Sequence, residues 1–276
     1  MLGEYVPGEL IYFAHRLPAK FKELFILPIS DIHYGDPLFS QKHLNRVRDF
    51  ILDNPNVYII FNGDLCNCAL RNSASDSYSA THTPEQQRDY LIEYFMPVKN
   101  RILGMTDGNH EARIYRDTSI DICKDMAKAW GCPYRPNGIL LKVSFGGGNS
   151  RHPDQPYSYF LYATHGYGGA RTKAAKAVKV ERTSTMIHAD CYIMGHDHDL
   201  NIASSVYLIP DARTYLDKKS GFTIGSVKAV DKKLVKSGAF MKWGNYAERG
   251  GFNPVSLDLV KIKLMGTGKR RILIEV

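Results

Sequence analysis

Apolar runs alternate with amphipathic stretches over the first 200 residues of the chain. Runs rich in branched aliphatic and aromatic residues predict strands that are buried on both faces. These runs are 25–33, 57–65, 101–111, 139–145, 157–166 and 190–198. Apolar residues that recur on one helical face predict helices over about 40–54, 83–98, 118–130 and 170–187. This alternation of strands and helices predicts an α/β fold.

The pattern changes after residue 200, where short apolar stretches follow one another without helices between them. This part of the chain, residues 201–276, is therefore predicted to be rich in β-structure. The chain has no internal repeat and no low-complexity linker. We therefore expect one domain that spans residues 1–276.

Composition adds expectations about location. The amino terminus lacks a basic region followed by a long apolar run, so no signal peptide is predicted. No stretch approaches the roughly 18 apolar residues that a membrane span needs. The five cysteines form no CxxC pair, which is typical of reduced thiols. These features predict a cytoplasmic protein that does not insert into a membrane.

The net charge of +8 is unevenly distributed. Residues 201–276 contain 14 Lys/Arg and 6 Asp/Glu, whereas residues 1–200 contain 22 of each sign. A basic carboxy-terminal quarter favours an anionic partner, such as nucleic acid or a phosphorylated ligand. A solvated lysine-rich surface without a partner would show the same composition.

Polar side chains follow most of the predicted buried strands. Because sites in open α/β sheets gather outside the carboxyl ends of strands, these side chains converge if the strands are neighbours. The residues are Asp31, His33, Asp64, Asn109, His110, His165, His196 and His198.

Such a cluster requires a cation, because buried carboxylates are costly without a compensating charge. The seven ligand-type side chains other than His110 are too many for one catalytic ion that must keep an open position. They suit two ions if one carboxylate bridges them. Two ions about 3.5–4 Å apart can stabilise the attacking and leaving oxygens of an in-line displacement, which is the chemistry of phosphoester hydrolysis.

Five motifs occur in order over residues 31–198: DxH, GD, GNHE, a single His and GHxH. This set resembles the calcineurin-like metallophosphoesterase family. The resemblance implies a four-layer sandwich of two mixed β-sheets flanked by helices, with the basic part 201–276 completing the second sheet. It also implies two divalent metal ions, for which manganese is favoured over iron, zinc, cobalt or nickel.

The resemblance also implies roles for the individual residues. Asp31, His33 and His198 match ligands of the first ion, and Asp64 matches the bridging carboxylate. Asn109, His165 and His196 match ligands of the second ion. His110 matches a catalytic histidine that contacts the phosphate or protonates the leaving oxygen. The implied nucleophile is a hydroxide that bridges the two metals.

One departure from the family concerns the residues after Asp64. The phosphoprotein phosphatase branch continues GDxxDRG, whereas this chain continues GDLCNCA. Asn67 stands where an aspartate would pair with the catalytic histidine, and the phosphate-binding arginine is absent. Asn67 is still expected to accept a hydrogen bond from His110. The departure argues against activity on phosphorylated proteins.

Other residues have two interpretations each. Arg113 follows GNHE closely and could bind substrate phosphate, or it could form a surface ion pair. Arg171 begins a basic segment, 171–182, that could bind a polyanion backbone or could be a solvated helix face. Cys66 and Cys68 are interpreted as small residues that pack a loop rather than as metal ligands. Asp197 is expected to point away from its neighbours His196 and His198, on an extended strand.

These observations favour a metal-dependent phosphodiesterase that acts on nucleic acid or a nucleotide. The alternatives are a phosphomonoesterase, with a protein or a small molecule as substrate, and a non-catalytic metal-binding module. The sequence does not determine the oligomeric state.

Overall fold

The computed structural model describes residues 10–71, 73, 77–147 and 155–276. The strands are β1 (Tyr12–Arg16), β2 (Glu23–Ile29), β3 (Val57–Asn62), β4 (Ile102–Thr106), β5 (Ile139–Phe145), β6 (Tyr157–Thr164), β7 (Cys191–Met194), β8 (Leu200–Leu216), β9 (Thr223–Ser237), β10 (Lys261–Met265) and β11 (Ile272–Glu275). The helices are α1 (Gln41–Asp53), α2 (Pro84–Phe95), α3 (Asn109–Thr118), α4 (Ile122–Trp130), α5 (Lys173–Met186) and the short α6 (Asn245–Arg249). A 3₁₀ turn, Met96–Arg101, continues α2.

The strands form two mixed sheets. The five-stranded sheet has the order β11-β10-β2-β3-β4, in which β2, β3 and β4 are parallel and the other two strands are antiparallel additions. The six-stranded sheet has the order β1-β5-β6-β7-β9-β8, in which β6, β7 and β9 are parallel. Parallel neighbours place their carboxyl ends at the same edge of a sheet, which concentrates the following turns there.

Three apolar clusters define four layers. Ile26 and Leu161 belong to the cluster between the two sheets. On the opposite face of the five-stranded sheet, α1, α2 and α4 pack with residues such as Leu91. On the outer face of the six-stranded sheet, Val180 of α5 packs against Tyr192. The predicted α/β sandwich of two mixed sheets flanked by helices is therefore confirmed.

The burial of individual strands explains why the apolar runs were informative. All six residues of β3 are buried, because its sheet is covered on both faces. Strands β5 and β6 instead alternate between buried and partly exposed residues. Strand β1 was not predicted from the sequence, and it joins β5 at the edge of its sheet.

The chain after residue 200 differs from the expectation that it completes the second sheet. Strands β8 and β9 join the six-stranded sheet, whereas β10 and β11 join the five-stranded sheet. The expected short strands are also wrong for β8 and β9, which have 17 and 15 residues. Only Lys233–Lys236 of β9 pair with β7, so the outer part of this hairpin is a two-stranded ribbon.

The third predicted strand and the third predicted helix are also corrected. Strand β4 ends at Thr106, and the GNHE residues begin α3 instead of ending a strand. The Glu111 carboxylate stabilises this helix start because it accepts the Gly108 N–H at 3.2 Å. Ser119 has φ +61° and ends α3, so the next helix begins only at Ile122.

One expectation rests on residues outside the described part of the chain. The amino-terminal segment 1–9, on which the absence of a signal peptide was argued, is among them. Among the described residues, no helix combines the length and the apolar character that crossing a membrane requires. The five cysteines are free thiols, and Cys66 and Cys68 are buried.

Candidate metal centre

Left-handed turns carry most of the predicted ligands. Asp31 and His33 follow β2, Asp64 follows β3, and His196 and His198 follow β7. All five residues have φ between +50° and +70°. Non-glycine residues rarely adopt this conformation, and such strain persists only where the surrounding structure enforces it. These ligand residues therefore share a left-handed backbone conformation that composition and spacing did not predict.

The first ligand group consists of Asp31, His33 and His198. His33 Nε2 lies 2.9 Å from His198 Nε2 and 3.8 Å from Asp31 Oδ1. His198 Nε2 lies 3.4 Å from the same Asp31 oxygen. One carboxylate oxygen and two ring nitrogens thus face a common point.

The second ligand group consists of Asn109, His165 and His196. Asn109 Oδ1 lies 3.1 Å from His165 Nε2 and 2.8 Å from His196 Nδ1. The two ring nitrogens are 3.2 Å apart. Asn109 reaches this position because it is the first residue of α3.

Asp64 lies between the two groups. Its Oδ2 is 3.1 Å from His165 Nε2 and 3.8 Å from His33 Nε2. Its Oδ1 accepts the backbone N–H of His110 at 2.8 Å, at the amino-terminal end of α3. One oxygen is therefore fixed by the helix, and the other faces both groups.

These residues fit divalent metal ions. Metal–nitrogen bonds of about 2.0–2.1 Å place the ligand atoms of a tetrahedral site about 3.3–3.5 Å apart. The separations within each group, 2.8–3.8 Å, bracket this value. Carboxylate, amide and imidazole donors without thiolate are also the set that first-row divalent metals share.

Charge in the centre supports the same conclusion. Burial disfavours the charged forms of Asp31 and Asp64, but neighbouring histidines outweigh it and hold both pKa values well below their usual range. Burial likewise opposes the charged form of His165, but Asp64 and Asp31 raise its pKa to about 10. A protonated imidazole thus supplies the positive charge that these carboxylates require.

Backbone carbonyls fix three of the imidazole rings. The Nδ1–H of His165 donates to Asn62 O at 2.9 Å, and the Nε2–H of His196 donates to Gly168 O at 2.5 Å. Each bond places a proton on one ring nitrogen, so the other nitrogen is the one that would face a metal. His110 is held in the same way, because its Nδ1–H donates to Asn67 O at 2.6 Å.

The space around the ligands explains two glycines of the motifs. A Cβ on Gly195 would lie 2.7 Å from Asp31 Oδ2, and a Cβ on Gly108 would collide with Asp64 Oδ1. The ligand carboxylates occupy the volume that a side chain would need at these positions. Both motifs therefore require glycine because of its neighbours.

The GHDH segment was expected to be an extended strand, but it is not one. Strand β7 ends at Met194, and both His196 and His198 have left-handed backbones. Strand alternation is therefore the wrong explanation for their placement. The two rings lie in different ligand groups, and Asp197 between them binds Lys179 at 2.7 Å.

The remaining predicted site residues have different surroundings. Asn67 contacts His110 through its backbone carbonyl, so the expected side-chain hydrogen bond is replaced by one that does not depend on residue type. Arg113 is partly exposed, and its buried Nη1 has no hydrogen-bond partner among the described residues. Arg171 is exposed, with its guanidinium 6.0 Å from the Phe252 ring centroid.

The basic segment 171–182 is only partly available to a ligand. Lys176 is buried and lies 3.5 Å from Asp199, and Lys179 binds Asp197. These two lysines therefore face the protein interior instead of a polyanion. Arg171, Lys173 and Arg182 are exposed.

Two supporting residues were missed in the sequence. Glu111 accepts the backbone N–H groups of Asp64 at 3.0 Å and Cys66 at 2.9 Å, and burial raises its pKa to about 7. Its place as the last letter of GNHE was the available signal. Lys236 is fully buried and binds the GHDH turn, and nothing in its local sequence marked it.

Comparisons with known proteins give weak similarities only. No family model matches the chain, and no curated protein matches it. Calcineurin-like phosphoesterase YfkN from Bacillus subtilis is 14% identical, with a TM-score of 0.42 and coverage of 92% of this chain and 90% of that one. Yfce, a phosphoesterase from E. coli, is 14% identical, with a TM-score of 0.39 and coverage of 87% and 88%. A metallophosphoesterase from Sphaerobacter thermophilus is 15% identical, with a TM-score of 0.35 and coverage of 88% and 83%. Similarity at this level does not by itself establish an activity.

Proposed function

We propose that this chain is a metal-dependent phosphoesterase of the calcineurin-like metallophosphoesterase family that hydrolyses a phosphodiester of nucleic acid or a nucleotide. The observation that carries the proposal is the position of Asp64, whose Oδ2 faces both ligand groups. One divalent ion would be held by Asp64 with the first group, and the other by Asp64 with the second. Manganese suits these donors, as do iron, zinc, cobalt and nickel.

Two divalent ions held by these residues would activate water at neutral pH and stabilise the charge of an in-line displacement at phosphorus. The protein contributes the fixed donor positions. His165 and His196 are each tied to a backbone carbonyl, so their rings are oriented before an ion binds.

In this proposal His110 transfers a proton. Its Nδ1–H is bound to Asn67 O, which leaves Nε2 3.7 Å from Asp64 Oδ2. As an imidazolium, His110 would donate its Nε2 proton to the leaving oxygen. Burial lowers the pKa of His110, Asp64 opposes this effect and Arg113 reinforces it, so the proton is readily given up.

In this proposal Arg113 binds the phosphate. It lies three residues after His110, on the same face of α3. Its buried Nη1 has no partner among the described residues, and arginine binds phosphate oxygens through parallel hydrogen bonds. One guanidinium balances the single negative charge of a phosphodiester, whereas a phosphomonoester carries close to two charges at pH 7.

The preference for diesters is tested with two chromogenic substrates. With Mn²⁺ bound, we expect a higher kcat/KM for bis-p-nitrophenyl phosphate than for p-nitrophenyl phosphate. We also expect cleavage of DNA, RNA or a cyclic nucleotide. Good turnover of monoesters without cleavage of any diester would instead establish the phosphomonoesterase. No hydrolysis by the Mn²⁺-loaded protein would leave only the non-catalytic module.

The role of Arg113 is tested with Arg113→Met. Loss of a charged hydrogen bond costs about 1.5–3 kcal/mol, so the KM for the diester should rise by roughly 10- to 100-fold. Arg116→Met is the matched control, since Arg116 lies on the same helix, is exposed and pairs only with Asp117 in the described contacts. Equal KM values for the two variants would remove Arg113 from the site.

A further inference from the structure

Strand β9 carries two buried lysines, Lys232 and Lys236, with exposed fractions of 3% and 0%. Because they are four residues apart on a strand, their side chains lie on the same face. Buried lysines are costly unless their ammonium groups are paired. Their partners therefore indicate what each lysine does.

The two lysines have different partners. The Lys232 ammonium donates to the Tyr192 hydroxyl at 3.0 Å and lies 4.4 Å from the centre of the Tyr207 ring. The Lys236 ammonium donates to Gly195 O at 2.9 Å and lies 2.5 Å from Asp197 Oδ2. Only Lys236 therefore binds the turn that carries His196 and His198.

Lys236 binds this turn at two points. Gly195 O, at the start of the turn, also accepts the Asp197 N–H at 2.9 Å. The side chain of Asp197, in the middle of the turn, is almost completely buried, and its carboxylate is shared between Lys236 and Lys179. A single ammonium thus connects the first and middle residues of a segment whose two histidines have left-handed backbones.

The pairing also restrains the chemistry of Asp197. A carboxylate between two ligand histidines could itself compete for an ion. Two lysines neutralise Asp197 and direct it away from the ligand groups, toward β9 and α5. His196 and His198 remain as the ligand-type side chains that the turn presents to the centre.

We propose that Lys236 is a positioning residue that holds the GHDH turn in the conformation needed to bind both metal ions. This inference rests on the metal centre of the proposed function. Because His196 and His198 belong to different ligand groups, loss of Lys236 should weaken both ions together. Replacing one histidine would act mainly on one ion.

The test measures Mn²⁺ binding directly, by calorimetry and electron paramagnetic resonance, in Lys236→Met and in the matched variant Lys232→Met. Partners that orient ligands typically change metal affinity by about 10- to 100-fold. We expect both Mn²⁺ dissociation constants to rise by that factor in Lys236→Met and to be unchanged in Lys232→Met. Lys236→Arg, which keeps the charge, should recover part of the affinity.

Thermal unfolding of both variants shows whether they are folded. If Lys236→Met does not fold, Asp197→Asn removes the partner charge at constant size and should weaken both ions in the same way. The inference is overturned if the Mn²⁺ dissociation constants of Lys236→Met, or of Asp197→Asn in its place, lie within twofold of those of Lys232→Met.

Failure of the two proposals can be distinguished. A wild-type protein that binds two Mn²⁺ ions but hydrolyses no phosphoester contradicts the proposed function, and the binding test of Lys236 still applies. A wild-type protein that binds no divalent ion overturns both.

Discussion

The two halves of the candidate metal centre differ in charge and in exposure. The first group contains the carboxylate of Asp31 and two residues that are almost fully buried, Asp31 and His33. The second group contains the neutral amide of Asn109, which is exposed at the start of α3. With Asp64 shared, the first ion would meet two carboxylates and the second only one.

Because of this difference, we expect the two halves to bind their ions differently. Two carboxylates in a buried site favour tight binding of the first ion, because opposite charges attract strongly where water is excluded. A neutral amide near solvent would leave the second ion more exchangeable and more strongly polarising toward a bound substrate. We therefore expect two dissociation constants instead of one.

The largest expected effect comes from Asp64→Ala, which removes the residue common to both halves. We expect loss of both ions and loss of detectable hydrolysis, because each remaining group keeps only three donors. Metal analysis by mass spectrometry, with Asp125→Ala as a control at an exposed carboxylate, checks the result. Retention of one tightly bound ion would show that Asp64 belongs to one half only.

His110→Ala should leave ion binding by both halves of the centre unchanged and should lower turnover. The hydrogen bond that fixes Asp64 Oδ1 is donated by the backbone N–H of residue 110, which alanine keeps, so both ions should stay bound. Loss of a general acid should reduce kcat by roughly 10²–10⁴. Steady-state kinetics with the exposed His188→Ala as control measure this effect. Full turnover in His110→Ala would exclude the proton transfer.

Exchanging the carboxylate and the amide between the two halves tests which residues bind which ion. Asp31→Asn should weaken the first ion by about tenfold or more, and Asn109→Asp should strengthen the second by a similar factor. Competition with a calibrated chelator gives both constants for each variant. If both substitutions change the same constant, the assignment of the residues to separate ions is wrong.

The last prediction concerns pH. His165 has a pKa of about 10 in the metal-free protein, so it is protonated at pH 7, and binding of the second ion must displace this proton. The affinity should therefore rise with pH, by up to about tenfold per unit below pH 10. His33 has a pKa held below its ordinary value by burial and by His110 and His198, so it is already neutral. Calorimetry in buffers of different ionisation enthalpy counts the released protons. A second-ion affinity that is independent of pH would contradict this protonation state.

Much of the fold could be predicted because apolar runs report burial on both faces of a strand. Strands β3, β5, β6 and β7 fall within such runs and β2 overlaps one, although only alternate residues of β5 and β6 are buried. The long ribbon of β8 and β9 could not be predicted in this way, because its outer part is exposed on both faces. Leu208 and Phe222 are each 71% exposed, so their hydrophobicity reports no core.

The composition of the site could be predicted, but its backbone conformation could not. Ligand-type residues are visible in the sequence, and the ends of parallel strands explain why they meet. Aspartate adopts positive φ more readily than most residues, but nothing in the local sequence indicated that Asp31 and Asp64 would do so. Lys236 was invisible for a similar reason, since a lysine in a strand is usually exposed.

Gly195 has a consequence for how this sequence can vary. The Asp31 carboxylate fills the volume in which a Cβ at position 195 would lie, although the two residues are distant in the chain. A change to alanine at 195 would displace a ligand oxygen, and a smaller residue at 31 would not by itself make room, because Ser30 Oγ would also lie 2.7 Å from the new Cβ. In natural drift or in directed evolution, Gly195 should therefore be retained for as long as Asp31 is a ligand.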